Sequence, residues 1–129
     1  MISPVNDRDL GRRPAVMLHI ITMDVFKNTR DAMKFAAAKM QKANLFETER
    51  MFCDVYGFEP GQEQTGHAHA GSDKVYYVIE GAGRFRIDDD EREVAAGGAV
   101  FAPAGSNHAV RNPGPGRLAV LVFMAPKPS

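Results

Sequence analysis

From Leu45 onward the chain is written in short apolar runs cut by glycine and proline. Arg50 to Phe58 is rich in aromatic and β-branched residues and stops at Pro60-Gly61. Val75 to Ile79 stops at Gly81. Gly83 to Ile87 alternates apolar and polar with period two, then meets Asp88-Asp89-Asp90. Arg92 to Val94 runs to Gly97-Gly98, Val100-Phe101 to Pro103-Ala104-Gly105, and Ala109 to Arg111 to the turn Asn112 to Gly116. Leu118 to Met124 is the last apolar run. Short strands of this kind, separated by residues that set turn geometry, predict an all-β barrel or sandwich. The acidic run Asp88 to Glu91 lacks the ligand spacing of a calcium loop and reads as a solvated hairpin tip.

Upstream the period changes. Asn28 is a good N-cap, Asp31 completes a capping-box-like pattern, and Ala32, Met33, Ala36, Ala37 and Met40 recur at helical spacing. Lys34, Lys39 and Lys42 fall on the other side, so one helix is predicted over residues 28–43, packed on the barrel wall or a partner subunit. Residues 1–22 read as an extension to a domain of residues 23–129. They are a disordered tail, an extra or swapped edge strand, or sequence ahead of a true start at Met17 or Met23. The apolar run Ala15 to Ile21 is too short to span a bilayer, and no small-residue cleavage site follows it.

The length of 129 residues suits one domain. Sixteen basic and sixteen acidic residues cancel and are mixed along the chain, so neither nucleic acid nor a membrane surface is expected as a partner. The lone Cys53 cannot close an intramolecular disulfide, which suits a cytoplasmic location; it reads as a small apolar strand residue.

The candidate chemistry is carried by histidine. His67 and His69 are two apart, so on a strand both imidazoles face one side and can reach one metal. His108 follows the Pro-Ala-Gly turn and could be brought opposite them by an antiparallel barrel. Alone, the His67-Ala68-His69 pair is weak evidence for a metal, the other reading being pocket histidines bonded to one another, to water and to nearby polar groups. His19 is treated as uninvolved.

The wider spacing is more specific. Gly61, five residues, His67-Ala68-His69, four residues, Lys74, six residues and Gly81 resembles the first motif of the cupins. Gly97, five residues, Pro103, one residue, Gly105, two residues, His108, three residues and Asn112 resembles their second. The resemblance covers roughly residues 45–125. It implies a double-stranded antiparallel β-barrel, jelly-roll-like, with a pocket at one mouth, here with one N-terminal helix. It also implies a divalent transition metal (Fe, Zn, Ni, Cu or Mn) on His67, His69 and His108, and a homodimer. At the place where cupins usually supply a glutamate ligand stands Lys74. A unit cation about 4 Å from a dication, at an effective dielectric near 20, is repelled by roughly 8 kcal/mol. Lys74 therefore swings away, gives up its proton, or marks a site without metal that binds an anion. Asp73 faces the opposite side unless a bulge re-aims it.

Strand phase places Phe52, Gln64, Val78, Phe101, Val110 and Phe123 as candidate pocket lining, although Gln64 counts in phase with Gly66 rather than His67. Tyr76, with Lys74, is a candidate catalytic group. Two classes of function follow: a metalloenzyme of oxygenase, isomerase, decarboxylase or lyase type acting on a small anionic molecule, or a non-catalytic binding or sensing module whose metal site has degraded. Lys74 as a Schiff-base nucleophile is a third reading.

Overall fold

The computed structural model describes residues 24–128. The expectations for residues 1–22 lie outside this range. In chain order the elements are α1 (Thr29–Ala32), β1 (Gln41–Glu47), β2 (Phe52–Phe58), β3 (Glu63–Ala68), β4 (Asp73–Glu80), β5 (Ala82–Ile87), β6 (Asp90–Ala95), β7 (Ala99–Ala102), β8 (Asn107–Arg111) and β9 (Leu118–Ala125). The strands form two antiparallel sheets, β1-β2-β9-β4-β7 and β3-β8-β5-β6, packed face to face as the all-β reading expects.

Alternation builds the core. Along β4, Lys74, Tyr76 and Val78 are buried while Val75 and Tyr77 are exposed. Along β9, Leu118, Val120, Val122 and Met124 point inward. With Tyr56, Phe58, Phe85 and Val110 they fill the space between the sheets. Residues Asp88-Asp89 turn the β5–β6 hairpin, as the acidic run suggests, and Asp88 adopts φ 50° there. The Asp88 carboxylate accepts from the Asn107 N–H at 2.9 Å, which ties this tip to the start of β8.

The predicted helix over 28–43 is corrected. Asn28 does cap a helix, its side chain accepting from the Arg30 N–H at 2.9 Å, but the helix is one turn long and Met33 is already extended. The chain then lies across β2 so closely that a Cβ on Gly57 would collide with the Lys34 carbonyl oxygen. Gln62 Nε2 donates to the carbonyls of Ala36 and Ala37 at 2.7 and 3.2 Å, bonds in place of helical ones. From Gln41 the chain pairs with β2, burying Ala43 and Leu45 and leaving Lys42 and Asn44 exposed. An isolated helix of this length is marginal in water, whereas an open sheet edge offers a full ladder of bonds.

Two of the expected pocket residues are also corrected. Phe101 and Phe123 are exposed on the outer face of the five-stranded sheet, in register with outward Val75. It is their neighbours Ala102 and Met124 that pair with Lys74 and point inward.

Candidate metal centre

β3 and β8 bring the histidines together. His67 and His108 are register partners on neighbouring strands of the four-stranded sheet, and His69 follows the end of β3. The motif turn secures this placement: Gly105 N–H donates to the His69 carbonyl at 2.9 Å, joining the two histidine segments. Gly105 has φ 84°, a conformation that side chains with a Cβ resist. Asp73 is held out of the site, because its carboxylate accepts from the Ala104 N–H in the same turn at 2.9 Å. Asn112 ties down the chain beyond β8, donating to the carbonyls of Phe58 and Gly116 at 3.0 and 2.9 Å.

One potential ligand atom from each of His67, His69 and His108 lies within 4.8 Å of the others. The ring orientations are set from behind. His67 Nδ1 lies 3.0 Å from the Thr65 carbonyl oxygen and His108 Nδ1 lies 3.3 Å from that of Ser106. Each carbonyl is an acceptor, so each Nδ1 carries the proton and donates. The two Nε2 atoms then present lone pairs to one another at 3.2 Å. A metal ion or a shared proton between them satisfies both lone pairs. Two imidazole nitrogens on one tetrahedral metal at about 2.0–2.1 Å would stand about 3.3 Å apart. The donor set therefore fits a metal that takes imidazole, such as Zn, Fe, Ni or Cu. Burial is the largest cause lowering the His108 pKa to about 4, with Lys74 and His67 adding to it. Burial also lowers His69, aided by His67, Lys74 and Lys42. These two rings are thus held neutral and ready to coordinate.

Lys74 stays inside the barrel. It is 2 % exposed, and its ammonium sits 5.4 Å from the Tyr56 ring centre and 4.9 Å from that of Tyr76. Among the described residues no carboxylate forms an ion pair with it. Burial, and after it Lys42, lowers its pKa to about 8 against the opposing pull of Asp54. Tyr76 is fully buried, its hydroxyl has no hydrogen-bond partner among the described residues, and burial raises its pKa, so it stays protonated. Burial pushes Tyr56 up to about 12, the Gln64 amide pulling the other way.

Gln64 enters the interior because β3 is irregular between Gln64 and His67. Gln64 pairs with Val110 and His67 with His108, two residues apart on β8, so both side chains face inward. Its Oε1 is buried without a hydrogen-bond partner among the described residues. Val78 and Val110 belong to the packed core. Phe52 packs against that core and also borders a cavity of about 300 Å³ with Lys42 and Asp54. A second cavity, about 450 Å³, lies beside His69, Gly71 and Ser72. Lys127 and Pro128 border both. Sequence reading missed Tyr56, Lys42, Asp54 and this C-terminal segment. Tyr56 was within reach, since it shares strand phase with Phe52; Lys42 was hidden by its assignment to a helix.

A family model for the cupin domain matches residues 54–124. The protein TT1209 of Thermus thermophilus is a similar solved structure, with 43% identity over 80% of this chain and 98% of that one, and a TM-score of 0.78. An uncharacterized protein of Methanocaldococcus jannaschii, MJ1618, is 25% identical over 83% of this chain and 91% of its own. A protein of Thermotoga maritima described as oxalate-binding is 24% identical over 81% of this chain and 69% of its own.

Proposed function

The chain belongs to the cupin-domain family, and from that premise we propose that it holds one divalent transition metal on His67, His69 and His108 and there binds or acts on a small anionic metabolite. The observation that carries this reading is the pair of Nε2 atoms facing each other at 3.2 Å, each ring backed by a carbonyl near its Nδ1, with His69 close beside them. When bound, such a metal supplies Lewis acidity and open coordination positions for a ligand.

The chain's own residues supply the rest. Lys74 brings a positive charge to the inner end of the site, where a ligand carboxylate would neutralise it. Tyr76 offers a protonated hydroxyl as a donor. Tyr56 and the core behind it keep bulk water away from these groups. The oxalate named for the Thermotoga maritima relative is itself a small carboxylate anion.

A second reading rests on Lys74 in the position where cupins usually place a glutamate: a metal-free module that binds its anion through Lys74. Elemental analysis of protein purified without chelator separates the two. The metal reading expects about one equivalent of transition metal, lost in His67→Ala and His108→Ala. Protein that binds none when offered zinc, nickel or iron, yet is stabilised by carboxylates, would establish the second reading instead.

A further inference from the structure

The mouth of the barrel carries a second cation that the histidine motif does not explain. Lys42, on edge strand β1, places its ammonium 5.2 Å from the centre of the Tyr56 ring; Lys74 places its own 5.4 Å from the same centre. They approach from different flanks. Tyr56 lies on β2, next to β1 on one side and separated by β9 from β4 on the other. The two ammoniums are near enough for Lys42 to depress the Lys74 pKa, and both act on His69. The carboxylate acting on both is Asp54, which also accepts a bond from Asn44 Nδ2 at 2.8 Å. Lys127, beside them, is paired with Glu47 at 3.3 Å. Two lysines against one aspartate leave this mouth net positive even before a metal is added. Two like charges are held here against a single carboxylate, an arrangement that an anionic ligand relieves. Lys42 and Asp54 border the cavity of about 300 Å³, and His69 borders the one of about 450 Å³ that shares Lys127 and Pro128 with it.

Resting on the anion-binding reading above, we propose that Lys42 and Lys74 form a two-point clamp for a small dicarboxylate. One carboxylate lies at the histidine centre beside Lys74, and the other reaches Lys42. Two separated ammoniums on the flanks of one ring match two carboxylates held apart by a spacer, as in succinate. They do not match a single compact dianion, whose charge would sit at one point. Lys42 is then a specificity-determining residue that reads the far end of the ligand.

Calorimetric titration of zinc-loaded and metal-free protein with succinate, butyrate and oxalate tests this. Wild-type protein binds succinate at least about tenfold more tightly than butyrate, the difference expected of one added charge-assisted contact. Lys42→Met brings succinate down to the level of butyrate and leaves butyrate within about twofold, Lys42→Arg keeps the discrimination, and Lys74→Met weakens both ligands. Lys42 is exposed, so its substitution leaves the barrel intact. A succinate-to-butyrate ratio unchanged in Lys42→Met overturns the clamp, as does oxalate outbinding succinate regardless of Lys42. Zinc content is read separately. Discrimination by protein that takes up no zinc leaves the clamp standing and removes the metal; zinc uptake without discrimination removes the clamp alone.

Discussion

Replacing Lys74 by methionine should make the metal-free protein more stable. Its pKa falls from 10.5 to about 8 on folding, chiefly through burial. At 1.36 kcal/mol per pKa unit, keeping the charged lysine inside costs about 3 kcal/mol at neutral pH. Methionine has similar length and no charge. It forfeits the contacts of the ammonium with Tyr56 and Tyr76, about 1 kcal/mol in all, for a net gain of about 2 kcal/mol. The pH dependence carries the sign. Between about 8 and 10.5 the unfolded chain holds a proton that the folded chain has released, so wild-type stability rises through that window. The Lys74→Met gain is therefore complete below about pH 8 and closes as the pH approaches 10.5. Urea unfolding of both proteins at pH 7 and pH 10, with chelator present, measures it. A Lys74→Met protein less stable than wild type at pH 7, or a gap that does not shrink with pH, would refute the reasoning.

Lys74→Glu should strengthen zinc binding by at least about tenfold in competition with a chromophoric chelator, since it replaces a repelled cation by the carboxylate that cupins usually carry there. The metal-free protein should lose about 3 kcal/mol as the pH falls from 6.5 to 4, because His108, held down to about 4 in the fold, protonates first in the unfolded chain. His108→Ala should flatten that part of the profile in thermal or urea unfolding. Gly105→Ala should cost about 1–2 kcal/mol, since alanine is strained at φ 84°, and should weaken zinc binding by shifting His69 relative to His108.

The strand-and-turn pattern after residue 50 was legible because turn residues and period-two alternation are local properties; β4 and the β5–β6 hairpin follow it directly. The three histidines were legible because motif spacing fixes which strand ends carry them. What failed depended on partners distant in the chain. Alanine and lysine over 28–43 favour a helix intrinsically, but the free edge of β2 and the Gln62 amide recruit that backbone instead. Phe101 and Phe123 were assigned inward because a short apolar run does not declare its phase; only pairing with Lys74 shows that Ala102 and Met124 take the inner positions. Gln64 counted out of phase with His67 until the irregularity in β3 restored it. Lys42 could not be placed at the site while its segment was read as helical.

Whether the three histidines hold one metal is decided by crystals grown with zinc and measured above and below its absorption edge. A single anomalous peak is expected about 2.0–2.2 Å from Nε2 of both His67 and His108, with a His69 nitrogen as third ligand. Crystals showing no peak there at saturating zinc, with those two nitrogens sharing a proton instead, would contradict it.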